Sequence, residues 1–132
     1  MKIGVLATGW NCSEYFYQVL EPWLQYKRKY NNLVISAVSG MFSGSEVASN
    51  DYTKELMLHA FNTKKIDYIA FPVGDFDEAA MRNVALKPLL VEKVDYIILL
   101  DFDEIYTLEQ IEKIFSFVEH NPFTTWFKIH FN

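Results

Sequence analysis

The sequence predicts an α/β domain in which helices flank a mostly parallel sheet. Short apolar runs rich in β-branched and aromatic residues recur at residues 3–7, 33–38, 68–73 and 96–100. Between them lie segments whose apolar residues repeat at helical spacing. Strands that alternate with helices pair in parallel through right-handed crossovers, so the helices pack on the faces of the sheet. The length of 132 residues fits a single domain over residues 1–132.

Two of the predicted helices lie in the first half of the chain. The first begins near Asn11 or Ser13, because Asn11 and Glu14 have the spacing of a capping box. Pro22 falls inside its apolar stripe and is expected to kink this helix. The second helix spans residues 52–61, after a polar loop.

Two further helices follow the third and fourth strands. One starts at the acidic residues 75–78 and bends or ends at Pro88. These residues include a second Asp-x-Asp triplet, Asp75 and Asp77, which we interpret as acids at a helix start. The other starts at a capping box formed by Thr107 and Gln110. The residues predicted to face inward are Met81, Val84 and Ala85 in the first of these helices and Ile111, Ile114, Phe115 and Val118 in the second.

The last residues predict a fifth strand. Over residues 124–131, Phe127, Ile129 and Phe131 alternate with a more polar set, a pattern typical of a strand that is buried on one face. The chain then stops without a closing helix. We therefore interpret it as a domain truncated after its fifth strand.

Composition excludes several classes of protein. The formal net charge of −5 does not provide the basic face that binds nucleic-acid phosphates. A single cysteine, Cys12, excludes an internal disulfide and a cysteine-rich zinc site, and we interpret it as a packed residue rather than a nucleophile. The N-terminal apolar run is too short for a transmembrane segment and lacks a signal-peptide cleavage site. We therefore expect a cytoplasmic protein that does not bind nucleic acid.

Two aspartates at the end of the fourth strand carry the functional prediction. Asp101 and Asp103 follow the apolar run of residues 96–100, and their side chains point to the same side if the strand continues through them. Two converging carboxylates repel each other unless a cation lies beside them, and a hard divalent cation is the usual partner of oxygen ligands. Ligands of open α/β sheets bind at the carboxyl ends of the strands, where this pair falls. The pattern predicts a metal site for a phosphorylated ligand.

Three segments resemble family 2 glycosyltransferases of the GT-A fold. The run DEAAMRNVAL at residues 77–86 resembles their helix with an Ala-Arg-Asn-like signature, and the following strand ends in DFDE as their Asp-x-Asp strand does. The run KIGVLATGWN at residues 2–11 resembles their first strand. The resemblance implies a Rossmann-like GT-A layered sandwich. It covers nearly all of this chain but only the nucleotide-sugar-binding half of such an enzyme, so we expect the acceptor-binding half to be absent.

The resemblance implies roles for the acids that follow the fourth strand. Asp103 would coordinate a Mn²⁺ or Mg²⁺ ion bound to the diphosphate of the donor, and Asp101 would contact the sugar or ribose, or share the metal. The ion would stabilise charge on the departing nucleoside diphosphate. Glu104 has two open interpretations, an acid behind the metal ligands or an acid in the first turn of the next helix. His130, in the predicted fifth strand, is a further candidate to approach the metal.

The resemblance also implies roles for residues of other elements. Arg82 would orient the nucleotide or the acidic pair, with an ordinary surface arginine as the alternative. Thr8 and Asn11, at the exit of the first strand, would contact the nucleoside, although plain turn and cap roles are equally open. Ser39 stands where the second strand of the family usually ends in an acid that binds the base or ribose, so the base is not identified.

The implied reaction transfers a sugar from a nucleoside-diphosphate sugar to the hydroxyl of an unknown acceptor, with inversion by family analogy. No catalytic residue is assigned, because the catalytic carboxylate of the family comes from sequence beyond the fifth strand. One alternative is a non-catalytic domain that binds a nucleotide or a partner. A second is a phosphatase of the haloacid dehalogenase group, but its Asp-x-Asp triplet lies in the first strand and is followed at the second position by Thr or Val, where this chain has Ile105.

Overall fold

The computed structural model describes residues 1–40, 51–72 and 77–122. In these ranges four strands alternate with four helices, as the sequence predicts. Residues 43–50 of the polar loop, Asp75 and the predicted fifth strand with His130 lie outside the described residues. None of the described helices is both long and apolar enough to cross a membrane. In chain order the elements are β1 (Ile3–Thr8), α1 (Phe16–Tyr30), β2 (Leu33–Val38), α2 (Thr53–Asn62), β3 (Tyr68–Ala70), α3 (Glu78–Val91), β4 (Tyr96–Asp101) and α4 (Leu108–His120).

The strands form one parallel sheet in the order β3-β2-β1-β4, which confirms the predicted fold class. β1 lies between β2 and β4, and Ile3 pairs with Leu33 on one side and Tyr96 on the other. At the opposite end of β1, Thr8 pairs with Asp101. The carboxyl ends of β1 and β4 therefore meet at one edge of the sheet, which is where ligands bind in open α/β sheets.

Helices cover both faces of the sheet. Every residue of β1 is buried, and its side chains alternate between two apolar layers. The layer on one face contains residues of α1, α2 and α4, and the layer on the other face contains Leu6 of β1 and residues of α3. A Cβ atom added to Gly4 would come within 3.1 Å of Leu89, so the absence of a side chain at Gly4 lets α3 pack close to the sheet.

Two helices begin where the sequence predicts. Asp77 caps α3, and its side chain accepts a hydrogen bond from the Ala80 amide at 2.7 Å. Thr107 and Gln110 form the predicted capping box of α4. The residues predicted to face inward are buried in both helices, except Val84, which is half-buried.

α1 begins later than the sequence predicts. Its first residue is Phe16, and its N-terminus has no side-chain cap, so the predicted capping box of Asn11 and Glu14 is wrong. The loop before α1 is held from another part of the chain, since the Cys12 amide donates a hydrogen bond to Thr53 Oγ1 at 2.9 Å. The loop before α1 is thus fixed by a contact between residues that are distant in sequence and not by a local cap.

Neither helical proline ends its helix. α1 continues past Pro22 to Tyr30, and α3 continues past Pro88 to Val91. A proline removes one backbone hydrogen bond and crowds the preceding turn, so tertiary packing must hold the helix together there. Trp23, directly after Pro22, is fully buried and provides such packing. The prediction that Pro88 can end α3 is wrong.

The bounds of three strands differ from the predicted ones. β1 and β4 each extend one residue further, to Thr8 and Asp101, because these residues still pair with each other. β3 is limited to Tyr68–Ala70, which pairs with β2 at the edge of the sheet. The extension matters most, because it carries a polar residue of each strand into the sheet edge.

Candidate functional site

A cleft opens at the carboxyl ends of β1 and β4. Its walls are the loop of residues 8–12, Tyr15, Glu78 of α3 and the turn at residues 101–103. The cleft volume of about 360 Å³ lies in the range of pockets that hold small ligands. The position and the size of this cleft make it the candidate site.

Thr8 connects the two strands at the base of the cleft. Its side chain is buried, and its hydroxyl donates a hydrogen bond to Asp101 Oδ1 at 2.8 Å. The backbone continues the pairing for one more residue, because the Phe102 amide donates to the Thr8 carbonyl at 3.0 Å. The carboxylate of Asp101 is therefore held in a fixed position at the sheet edge.

The chain turns directly after Asp101 instead of continuing as a strand. The Glu104 amide donates to the Asp101 carbonyl at 2.9 Å and closes this turn. Phe102 is buried inside the turn, and its ring stacks on that of Phe16 with the ring centroids 5.0 Å apart. The assumption that the strand persists is thus wrong, but the two aspartates still converge: carboxylate oxygens of Asp101, Asp103 and Glu104 all lie within 4.8 Å of one another.

Arg82 places a positive charge beside these acids. Its Nη2 atom lies 2.8 Å from Glu78 Oε1 and 3.5 Å from Asp101 Oδ1. Its Nε atom is buried and has no hydrogen-bond partner in the described residues. Arg82 thus lies beside Asp101, and its implied role towards a nucleotide stays a prediction.

The three clustered acids differ in how their oxygens are engaged. Asp101 uses Oδ1 for its contacts with Thr8 and Arg82. The exposed carboxylate of Asp103 makes neither a hydrogen bond nor an ion pair within the described part of the chain. An exposed carboxylate and a second carboxylate with one free oxygen, only a few ångströms apart, are suitable ligands for Mg²⁺ or Mn²⁺, which prefer oxygen donors.

Glu104 makes contacts within its own turn. Its Oε1 atom accepts a hydrogen bond from the Asp101 amide at 3.0 Å, and its Oε2 atom accepts one from Tyr106 Oη at 3.1 Å. Burial and the adjacent charge of Glu104 raise the pKa of Tyr106 to about 12, so the hydroxyl stays protonated and donates. Because α4 begins only at Leu108, Glu104 is not an acid of its first turn.

Asp51 holds the loop that forms one wall of the cleft. Its Oδ2 atom accepts hydrogen bonds from the Ser13 amide and hydroxyl at 3.1 and 2.7 Å, and its Oδ1 atom accepts two from Thr53 at 2.9 and 2.6 Å. Burial opposes ionisation, but these hydrogen bonds outweigh it and lower the pKa of Asp51 to about 2. Asp51 was not predicted from the sequence, although an acid two residues before a threonine at a predicted helix start was an available signal.

Cys12 lies in the cleft wall as a buried thiol. Burial is the main cause that raises its pKa above the usual value, and the charge of Asp51 acts in the same direction. A thiol with a raised pKa is a poor nucleophile at neutral pH. The interpretation of Cys12 as a packed residue is therefore consistent with its environment.

The remaining candidates are divided between the cleft and the core. Asn11 lines the cleft in a left-handed backbone conformation with φ of 50°. Ser39 is buried, its amide donates to the Ala70 carbonyl at 3.1 Å, and it does not line the described part of the cleft. Two aromatic side chains that the sequence analysis did not select, Trp10 and Tyr15, lie exposed at the cleft. The predicted contacts of these residues with a nucleoside stay predictions.

The described fold is similar to that of S. aureus TarS, a glycosyltransferase. The TM-score is 0.65 at 18% sequence identity over 92% of this chain, both for TarS and for TarS 1-349 in complex with UDP or UDP-GlcNAc. The chain has a GT-A-like glycosyltransferase fold. It spans 20% of the TarS chain and 33% and 32% of the chains in the UDP and UDP-GlcNAc complexes.

Two other comparisons bear on family membership. No protein-family model matches the chain, and no curated protein matches it. At 18% identity the likeness to TarS concerns the fold alone. Membership of family 2 therefore stays a prediction.

Proposed function

We propose that this chain is the donor-binding part of a metal-dependent glycosyltransferase, which transfers a sugar from a nucleoside-diphosphate sugar to an acceptor hydroxyl. The observation that carries the proposal is the convergence of Asp101 and Asp103 beside a ligand-sized cleft at the carboxyl edge of a GT-A-like sheet. TarS structures contain UDP and UDP-GlcNAc in their complexes, which makes uridine diphosphate the first ligand to test.

In this proposal Asp103 and Asp101 hold the metal. Asp103 offers a carboxylate that makes no hydrogen bond in the described residues, and Asp101 offers the oxygen that Thr8 and Arg82 leave free. When bound, a Mn²⁺ or Mg²⁺ ion supplies positive charge that stabilises a departing diphosphate. An ion bound to Asp101 and Asp103 would offset the repulsion among the carboxylates that lie in this small volume.

Other residues of the cleft prepare it for a nucleotide. Thr8 and Arg82 fix the orientation of Asp101, so that little conformational freedom is lost when a ligand binds. Arg82 also places a positive charge near the position of the diphosphate. Asn11 presents its backbone and side chain at the exit of β1, where the nucleoside would lie.

Calorimetric titration with UDP and GDP, with and without Mn²⁺, tests the proposal. We expect diphosphate binding that requires Mn²⁺ and that weakens by about 1 to 3 kcal/mol in Asp103→Asn, because a charged partner of the ion is lost. Glu109→Gln removes an exposed acid that forms an ion pair with Lys113 on α4, and it serves as the matched control. Diphosphate binding that responds neither to Mn²⁺ nor to the substitution at Asp103 contradicts the proposal.

Turnover separates the proposed function from the two alternatives. A donor-binding part with catalytic ability should hydrolyse a nucleoside-diphosphate sugar slowly in the absence of an acceptor, and the anomeric configuration of the released sugar, read by NMR, reports inversion or retention. Donor binding without any turnover favours a non-catalytic domain. Metal-dependent hydrolysis of aryl phosphates favours a phosphatase of the haloacid dehalogenase group.

A further inference from the structure

We infer that Glu104 and Tyr106 are positioning residues: they hold the turn that presents Asp101 and Asp103, and Glu104 is not itself a metal ligand. The inference rests on the proposed function, because it concerns the acids to which that function assigns the metal. It separates the three clustered acids into two that face the ion and one that faces the protein.

Glu104 connects both ends of the turn. Its Oε1 atom accepts from the Asp101 amide at 3.0 Å, while its own amide donates to the Asp101 carbonyl at 2.9 Å. These two hydrogen bonds fix the backbone of Asp101 relative to that of Glu104. Asp103 lies between them in sequence, so its direction is set by the same closure.

Tyr106 holds the side chain of Glu104 in place. Its hydroxyl donates to Glu104 Oε2 at 3.1 Å, and its ring packs edge-on against the fully buried ring of Trp23, with centroids 5.6 Å apart. Packing therefore determines where the hydroxyl lies. Trp23 belongs to α1, and so does Phe16, on which the ring of Phe102 stacks. The segment of residues 101–106 therefore contacts α1 at two points.

The hydrogen bonds of its carboxylate oxygens distinguish Glu104 from a metal ligand. A metal ligand needs a free lone pair that points at the ion, and Asp103 provides one because it makes no hydrogen bond within the described residues. Each oxygen of Glu104 already accepts one directional hydrogen bond, so the direction of its remaining lone pair is set by the Asp101 amide and the Tyr106 hydroxyl. If Glu104 turned towards an ion, the Asp101 amide would lose its partner, which is costly for a partly buried group. Groups behind the first ligands of a metal commonly act in this way.

Mn²⁺ binding in the presence of UDP tests the inference with three variants. Glu104→Ala removes both contacts, and we expect about 10- to 100-fold weaker Mn²⁺ binding, the usual effect of losing a group behind the ligands. Tyr106→Phe keeps the ring packing and removes only the hydroxyl, so its affinity should fall by about tenfold or less. Glu104→Gln keeps an oxygen for the Asp101 amide and should stay within about fivefold of the wild type.

The amide proton of Asp101 provides a second readout that needs no metal. In the metal-free chain, NMR-detected hydrogen exchange at this amide should accelerate by about tenfold in Glu104→Ala and less in Tyr106→Phe, because its acceptor is lost or loosened. It should not change in Asp103→Asn or in the control Glu109→Gln. A purely structural effect on stability would instead accelerate exchange at amides throughout the core.

The outcomes distinguish this inference from the proposed function. If the wild type binds no Mn²⁺ with UDP, the proposed function fails and the inference fails with it. If the wild type binds Mn²⁺ and Glu104→Ala binds it equally well, only the inference fails. If Glu104→Gln loses as much affinity as Asp103→Asn, Glu104 is a ligand, and the inference is again overturned.

Discussion

At the residue scale, the carboxylate of Asp51 holds the cleft loop in place although it comes from a distant part of the chain. Four hydrogen bonds from Ser13 and Thr53 converge on its two oxygens, and Thr53 in turn accepts from the Cys12 amide. A carboxylate held by several donors is stabilised in its charged form. The loop that lines the cleft therefore depends on the ionisation of Asp51.

This dependence predicts a pH effect on stability. The pKa of Asp51 is about 2 in the folded chain, below its ordinary value of 3.8, so its contribution is complete above about pH 4 and is lost as the pH falls towards 2. Asp51→Asn should lower the free energy of unfolding at pH 7 by about 1 to 2 kcal/mol, after allowance for solvent screening at a half-buried group. Urea unfolding of the wild type and of Asp51→Asn at several pH values measures the pH dependence of stability and the loss caused by the substitution.

The control for this prediction is Glu14→Gln, an exposed acid near the same loop. Its unfolding free energy should match that of the wild type at every pH. The difference between wild type and Asp51→Asn should shrink as the pH falls from 4 to 2, because the wild type then loses the same charge. A difference that stays constant over this range contradicts the assignment of the shifted pKa to Asp51.

Sequence patterns found the residues of the cleft that lie next to strand ends, but not their partners. Asp101 and Asp103 follow an apolar strand, and this position alone indicated a ligand site. The contact of Arg82 with Asp101 was expected only from the resemblance, because it depends on the crossover that sets α3 against the sheet edge. Asp51 and Tyr106 were missed, since their partners are defined by the packing of loops and not by a period.

At the element scale, α4 fixes the end of the segment that contains the acidic turn. The Thr107 side chain accepts from the Gln110 amide at 3.1 Å, and the Gln110 side chain accepts from the Thr107 amide at 2.9 Å. This capping box directly follows Tyr106, so the first turn of α4 is close in sequence to the acidic turn of residues 101–104. Loss of the cap should therefore loosen both.

We predict that Thr107→Ala destabilises the chain by about 1 kcal/mol, the usual cost of removing an N-cap side chain. The urea midpoint of unfolding measures this loss. Thr107→Ser keeps the accepting oxygen and should remain within a few tenths of a kcal/mol of the wild type. Equal midpoints for the alanine variant and the wild type would mean that the cap seen in α4 does not contribute to stability.

The helices differ in how far the sequence could define them. α4 contains its own start signal and a clear apolar period, and the prediction of both is confirmed. The start of α1 was placed too early, because Asn11 and Glu14 have the local spacing of a cap whereas Thr53 and Asp51 hold that loop from outside. A local pattern does not reveal a competing contact that the tertiary fold provides.

At the scale of the whole molecule, parallel pairing brings together groups that are far apart in sequence. Thr8 and Asp101 are separated by 93 positions, yet they pair as neighbours and share a hydrogen bond. The alternation of strands and helices was enough to predict parallel strands, which end at the same edge, but it did not predict the strand order that puts β4 beside β1. The turn after Asp101 was not predictable in the same way, since the extended alternative satisfied the same pattern.

The acidic cluster has a consequence for the stability of the whole chain. Carboxylate oxygens of Asp101, Asp103 and Glu104 lie within 4.8 Å of one another, and Arg82 forms an ion pair with Asp101. Like charges at such distances repel each other, so the cluster opposes folding when no ion is bound. A functional site that is unfavourable without its ligand is a common compromise between stability and activity.

Asp103→Asn should therefore have opposite effects on the free and the ligand-bound chain. Without ligand, its melting temperature should equal or slightly exceed that of the wild type, because an exposed charge is removed from a repulsive cluster. UDP with Mn²⁺ at 100 times its dissociation constant should stabilise the wild type by about 2.7 kcal/mol, which corresponds to roughly 10 °C. The same ligand concentrations should raise the melting temperature of Asp103→Asn far less. A lower melting temperature of the free variant with an unchanged ligand response would assign Asp103 to stability instead of binding.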